Sequence, residues 1–476
     1  MEVIADMKNV KVNFIYNVFY QVLALLIPFI TIPYASRILG VDGIGQYSYT
    51  YSIVYYFMII GMLGITNYGS REIAKVRDKK EIMNYKFCSI YYMQLLFSFL
   101  VSVIYLIFIF FSHTSYRLLF AIQLLYLLSV MVDINWLFYG IEDFKVTVTR
   151  NSMIKILSLV FIFLFVNDKN DTPIYTLILS GSTLISNLLL LFFLNKHVKF
   201  VKVKMKDIYK HFYPCLILFI PVIAMKIYKV MDKTMIGLLT SVTEVGYYSN
   251  ADGIINMPMG IIVALGVVML PRLTNLISNG KEDEASNIFL KSFHLAIFMA
   301  SPIMFGLMAV GKDFSILFLG NNFIKTGILV QILSITILFM TISNVLRTQF
   351  LIPHGKDKEY IIAIIVGAIV NMILNLIFIP KFGGLGACIG TVCAEFLVMF
   401  FHIYFSRKYI NIIQLMKSSI WFVFSGFLMF ISVFMFGSLI NIQLIKVFLQ
   451  ILLGMFIYFS LNFRYIKGFI RNRKSS

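Results

Sequence analysis

Apolar runs of about 20 residues recur from one end of the chain to the other, separated by short polar stretches. A run of that length crosses a hydrocarbon core of roughly 30 Å as a helix. Lipid-exposed backbone must bond within its own segment, so isolated apolar runs imply helices. The period-two alternation of a membrane barrel is absent. The pattern predicts spans at about 12–34, 44–66, 87–110, 116–138, 151–166, 174–194, 212–238, 247–270, 292–310, 326–346, 360–379, 384–405, 419–437 and 447–463. The expected fold class is an all-α polytopic membrane protein with about 14 transmembrane helices.

Composition agrees. Apolar residues make up 60% of the 476 and charged residues 13%, against about 45–50% and 25% in soluble domains. Lys and Arg then orient the spans. Counted in alternate segments, 30 fall on the side that holds both termini and 7 on the other, with Lys155, Lys226, Lys229 and Lys233 left inside spans. Both termini are therefore expected in the cytoplasm, and the first run reads as a true span, not a cleaved leader. The net charge of +19 follows from basic span ends near anionic lipid and calls for no nucleic acid. No loop exceeds about 20 residues, and no phosphate-binding G-x-x-x-x-G-K-[ST] occurs. That leaves no room for a soluble catalytic domain. Any work must come from an ion gradient, the membrane potential or substrate flow. Cys88, Cys215, Cys388 and Cys393 lie in or beside apolar runs and read as small buried residues; no metal-ligand spacing appears.

The chain carries an internal echo. "VDGIGQYS" at 41–48 matches "VTEVGYYS" at 242–249 in four positions at an offset of 201, and Arg71 meets Arg272 at the same offset. Spans 1–6 and 7–12 then form parallel repeats: an N-lobe over 1–200 and a C-lobe over 201–410, followed by two further spans and a basic tail over 411–476. Span one carries Pro28 and Pro33, and span seven carries Pro214 and Pro221. Paired interruptions of this kind either mark a central transport site or serve packing.

"KIYKVMDKTMIG" at 226–237 puts charge into span seven. Lys226, Lys229 and Lys233 are spaced i, i+3, i+7 and share one helix face within about 60°. Each charge at mid-bilayer costs roughly 2.5–3.5 kcal/mol on the insertion scale, so this face is expected to meet water, protein or an anionic ligand. Lys233 could instead be interfacial and Lys229 snorkel outward; Lys226 is the hardest to place in lipid. Asp232 is either the structural partner of a lysine or an ion-coupling group. Lys155, early in span five, either snorkels or contacts ligand. Asp133 can pair with Lys155 or Arg150. Glu395 is a lone carboxylate in span twelve, for coupling or for packing.

Several stretches resemble one family. "PYASRILGVDGIGQYSYTYSI" (33–53), "NYGSREIAK" (67–75), "DINWLFYGIEDFKVTVTRN" (133–151), "MDKTMIG" (231–237) and "FGGLGACIGTVCAE" (382–395) are similar to bacterial polysaccharide and O-antigen flippases, the Wzx proteins. These belong to the multidrug/oligosaccharidyl-lipid/polysaccharide exporter superfamily. The resemblance implies two six-helix lobes around a central cavity. It also implies movement of undecaprenyl-pyrophosphate-linked oligosaccharide across the bacterial inner membrane by alternating access. Drive by a proton or sodium gradient is implied too, with no cofactor. Membrane lipids, a polysaccharide polymerase and chain-length machinery are the implied partners. On this reading Lys226, Lys229, Lys233, Lys155 and Arg37 bind substrate, and Asp232, Asp133, Glu395 and Arg71 couple or gate; Arg37 and Arg71 match family positions at span ends. The rivals are a peptidoglycan-precursor flippase, a multidrug exporter, a polymerase or ligase enzyme, and a membrane scaffold. The lysine face disfavours cationic drugs, the short outward loops disfavour a polymerase, and charges within the membrane have no purpose in a scaffold.

Overall fold

The apolar runs are helices in the computed structural model. It describes the backbone of residues 2–112 and 114–474, and the side chains of 26–112, 114–219, 223, 226, 228 and 230–468. The chain divides into two compact units, Met1–Thr234 and Met235–Ser476.

Unit 1 holds α1 (Glu2–Met62), α2 (Ile65–Ala74), α3 (Lys80–Phe111), α4 (Arg117–Met131), α5 (Asn135–Gly140), α6 (Phe144–Phe165), α7 (Thr172–Leu194), α8 (Met205–Tyr209) and most of α9 (Phe212–Leu239). Unit 2 holds α10 (Val242–Ser278), α11 (Glu282–Leu319), α12 (Ile324–Leu333), α13 (Ile335–Leu346), α14 (Asp357–Phe382), α15 (Gly384–Ser406), α16 (Ile412–Gly437), α17 (Gln443–Leu461) and α18 (Phe463–Lys474). A 3₁₀ turn over Asn321–Phe323 precedes α12, and a π-helical turn over Arg347–Leu351 follows α13. The protein is a multi-pass membrane protein, all helical among the described residues.

Among the described residues eleven helices are long and apolar enough to span, or twelve when Asn321–Leu333 and Ile335–Leu351, bent by 44°, count as one. The expected fourteen differ for identifiable reasons. The first two runs lie in one helix, α1, bent at Gly40 (φ 70°, ψ −174°). Positive φ suits glycine, which has no Cβ to clash, so the chain turns there without a polar loop. Pro28 and Pro33 lie inside α1 without interrupting its helical dihedrals. The seventh run is α9, not every side chain of which is described. Helices also extend past their apolar runs into polar sequence. α11 begins at Glu282, and Glu282, Asp283 and Glu284 fill its first turn, where carboxylates meet the positive end of the helix dipole.

Two stretches of the chain, from α1 and from α9, follow one order of elements and breaks. The bend at Gly40 recurs 201 residues later at Ser241, between α9 and α10. The gap between α4 and α5, centred on Asp133, recurs at Ser334 between α12 and α13 with the same offset. By α7 and α15, each 23 residues long, the offset has grown to 212. The extra residues of unit 2 fall around its π-helical turn and longer α14.

The core of unit 1 centres on Trp136, fully buried and stacked 5.3 Å from Phe87. α2 and α5 cross on glycines: a Cβ at Gly69 would stand 2.5 Å from the Trp136 ring, and one at Gly140 would stand 2.7 Å from Ile73. Cys215 and Phe219 from the start of α9 pack into the same core. Three cysteines are buried as expected. Cys393 is exposed, because it lies on the outward face of α15 with Ile389, Phe396 and Phe400.

His211, in the turn before α9, is buried and bonded on both sides: Nδ1 lies 2.7 Å from the Tyr68 hydroxyl and Nε2 lies 2.8 Å from Ser89 Oγ. Burial, with the Lys86 charge second and Lys210 adding to it against Glu72 and Asp207, pushes its pKa down from 6.5 to about 4.

Two outcomes are expected. Gly69→Ala should destabilise the protein by about 1–3 kcal/mol through overpacking, read as a lower unfolding temperature of the purified protein. His211 stays neutral in the fold while the unfolded chain takes up a proton near pH 6.5. Its contribution is therefore full above that pH and is lost as pH falls towards 4; His211→Gln should flatten this part of the pH–stability profile.

Candidate functional site

The site in unit 1 grows out of a broken span. Between α4 and α5 the helix stops for residues 132–134, leaving backbone carbonyls without helical partners. Broken helices persist at membrane depth only where protein groups satisfy the freed backbone. Gln94 of α3, fully buried, does so: its Nε2 donates to the carbonyls of Val130 (2.7 Å) and Asp133 (2.8 Å). Its Oε1 accepts from Trp136 Nε1 at 2.9 Å, so the amide is used at both ends.

The Asp133 carboxylate accepts from the Asn135 backbone N–H (2.9 Å) and from Asn135 Nδ2 (2.6 Å). Asn135 Oδ1 in turn accepts from Arg150 Nη2 at 2.9 Å. Arg150, on α6 and only 6% exposed, also donates to the Ser186 carbonyl (2.8 Å) and Asn151 Oδ1 (2.7 Å). Asn187 on α7 closes the network, with its Oδ1 3.3 Å from Asn135 Nδ2 and its Nδ2 donating to the Ser129 carbonyl at 3.0 Å. Asp133 interacts electrostatically with Arg150 and with Lys226. Arg150, one of the two pairings open in the sequence, thus acts on Asp133 electrostatically and joins the same network through Asn135.

α9 turns its polar face towards α1 and this break. Lys226 is exposed, and its ammonium lies 5.7 Å from the Tyr55 ring centroid, a cation–π distance. Asp232 is buried and acts electrostatically on Tyr56. The Tyr56 hydroxyl bonds Thr234 Oγ1 at 3.1 Å, and that hydroxyl also reaches Ser52 Oγ at 2.8 Å. Residues 52, 55 and 56 of α1 thereby meet residues 226, 232 and 234 of α9.

The other expected site residues are dispersed. The Lys229 side chain lies outside the described residues. Lys233 and Lys155 are half-buried, and each is engaged within the protein. Arg37 is exposed and engaged, and Arg71 is exposed on α2 near Tyr68. Glu395, in unit 2, is 7% exposed and not alone: Arg347 interacts with it electrostatically. Among the described residues no group of three or more His, Cys, Asp or Glu side chains gathers to hold a metal. Gln94, Asn135, Asn187 and Tyr55 were not singled out by the sequence. A lone amide carries no charge to single it out; its place within an apolar run could have marked Gln94.

Gln94→Leu should leave the Asp133 carbonyl and the Trp136 N–H without partners, while the Val130 carbonyl keeps the Asp133 N–H at 3.3 Å. At about 1–3 kcal/mol for each stranded buried group, the unfolding temperature of the purified protein should drop well below that of a surface Gln→Leu control.

Residues 10–277 match the family described as polysaccharide biosynthesis protein. A relative from Shigella dysenteriae named "Putative O-antigen transporter" is 24% identical over 383 residues, covering 79% of this chain and 94% of its own. A relative of the same name from Escherichia coli (strain K12) is 23% identical over 414 residues, covering 84% and 97%. Among solved structures, the lipid II flippase MurJ in an inward closed conformation superposes with a TM-score of 0.78 at 16% identity, over 96% of this chain and 99% of that one. An inward-facing multidrug transporter of the MATE family gives 0.61 at 15% identity, over 84% and 96%. With a family match running from the first span to the end of α10, the chain is a member of the polysaccharide biosynthesis protein family.

Proposed function

We propose that this protein is a flippase. It moves an undecaprenyl-pyrophosphate-linked oligosaccharide, the repeat unit of O-antigen or another surface polysaccharide, from the cytoplasmic to the periplasmic leaflet of the bacterial inner membrane. The observation that carries this reading is Lys226, a cation within a span whose neighbours are an aromatic ring and a carboxylate of unit 1. An ammonium is a compact partner for phosphate oxygens. An arriving diphosphate competes with Asp133 for Lys226, so loading would release a carboxylate held by Asn135 and Arg150. Lys229 and Lys233, spaced three and seven residues from Lys226 in the sequence, extend the same cationic stripe on this reading; Lys155 and Arg37 assist at the ends of the path.

On this reading the repeats are 1–200 and 201–410, with 411–476 appended and both termini cytoplasmic. Asp133 and Asp232 couple transport to a proton or sodium gradient, and Arg71 and Glu395 act in gating. A polysaccharide polymerase and chain-length machinery receive the product. The work is transport, not bond chemistry. The relatives that cover 79% and 84% of the chain are named O-antigen transporters. A curated relative named "Probable lipid II flippase MurJ", from Bdellovibrio bacteriovorus, covers only 46% of it, and this favours surface polysaccharide over the peptidoglycan precursor.

Exchanging Lys226 and Lys229 together for Gln should reduce surface polysaccharide by roughly tenfold or more, since a charge-assisted contact of about 1.5–3 kcal/mol is lost. Lipid-linked units should accumulate in the inner leaflet while the protein stays at normal abundance in the membrane. Normal display at normal abundance would remove the proposed role of these lysines.

A further inference from the structure

We propose that unit 2 carries a second binding site, a pocket for a neutral polyhydroxylated ligand of the sugar class, with Gln349 as its recognition group.

The pocket is a cavity of about 460 Å³ between the C-terminal end of α10, the start of α11, the π-helical turn and the start of α16. That volume lies within the range of roughly 300–1,000 Å³ for small-molecule sites. Gln349 lines it and is only 1% exposed, yet neither its Oε1 nor its Nε2 has a partner. Leaving a buried amide unmade is costly, and native structures seldom do so without a reason. Gln349 also sits within the turn Arg347–Leu351. π-helical turns are rare and concentrate at functional sites, where the extra residue re-aims a side chain. The amide's carbonyl and its NH2 group are therefore both unspent at the pocket wall. A vicinal diol or an acetamido group carries the complementary pair.

Charge narrows the class. The chain is strongly basic, yet no Lys or Arg lines this pocket, while Glu282 and Asp283 do. Diphosphates, nucleotides and anionic headgroups are repelled, so the ligand differs from the one assigned to Lys226. An organic cation would meet two carboxylates here but no open aromatic face. Here the Phe350 ring is covered by His354 at 4.3 Å, and the Tyr409 ring carries the Lys356 ammonium at 5.0 Å. What remains are hydrogen-bonding groups: the Gln349 amide, two carboxylates, and His354, whose Nδ1 is engaged by the Phe350 carbonyl at 2.7 Å. Carboxylates and amides arranged around an apolar wall are what hydroxyl groups require.

The test uses the purified full-length protein in detergent, with thermal unfolding followed in the presence of N-acetylglucosamine, glucose, spermidine or inorganic pyrophosphate. One of the sugars should raise the unfolding temperature by a few degrees at saturation, and spermidine and pyrophosphate should not do so through this site. Gln349→Leu should unfold at the same temperature as the parent or higher without sugar, because it removes an unpaired buried amide. It should also lose the sugar-dependent shift. The double variant Glu282→Gln, Asp283→Asn, at the exposed mouth, should weaken the shift while folding normally.

The proposal is overturned by a parent protein that shows no shift with either sugar, by a shift that survives in both variants, or by a spermidine shift that Gln349→Leu abolishes. The Lys226/Lys229 double variant should keep the sugar shift, so the pocket stands or falls apart from the transport reading. If surface polysaccharide falls in Gln349→Leu cells, the bound sugar belongs to the carried glycan; if display is unchanged, it is a free sugar of the cytoplasm.

Discussion

A membrane helix that breaks must find hydrogen bonds for the backbone it frees, because lipid offers none. In unit 1 that need falls on the gap between α4 and α5, and the Gln94 side chain meets it by spanning two carbonyls and the Trp136 indole. Much else follows from this one bridge. With the break held open, Asp133 and Asn135 point into the unit, Arg150 reaches Asn135, and Asn187 ties α7 to the end of α4. Close crossings at Gly69 and Gly140 seat α2 against α5 and fix Trp136.

The network explains how unit 1 tolerates ionised groups at depth. A buried ion that loses its partner costs several kcal/mol, yet Arg150 has three hydrogen-bond acceptors and lies near the Asp133 charge. Lys226 differs in kind. It has an aromatic ring and the field of a shared carboxylate, with its ammonium left accessible. The first group is held by hydrogen bonds on several sides, and the second keeps an accessible ammonium.

The chain from α9 onward follows the same element order with different polar equipment. Its break at Ser334 is satisfied locally, the hydroxyl donating to the Gln331 carbonyl at 2.7 Å. Its polar groups instead gather where the offset between the repeats widens, around Arg347, Gln349 and Glu395. The two stretches share an order of elements but differ in the side chains that lie along it.

How much of this was legible depends on the reach of each interaction. Hydropathy, basic loop ends and the 201-residue echo are properties of local sequence, and they determined the helical membrane class, the order of elements and the unusual charges of α9. The stretch 133–151 was visible as a signature, but its work was not. Asp133 meets Arg150 only because α6 returns beside a broken α4, and Gln94 acts only because α3 lies opposite the gap. Glu395 read as alone for the same reason, since Arg347 lies 48 residues away in the chain. Likewise, Gly40 could not be seen to replace a loop, nor Cys393 to face outward, until helix rotation and bend were fixed. The sequence determined which segments enter the membrane, because transfer free energy sums over neighbours along the chain. The tertiary structure decided which polar groups meet there, because each such meeting joins residues from different helices and leaves no trace in the periodicity of any one of them.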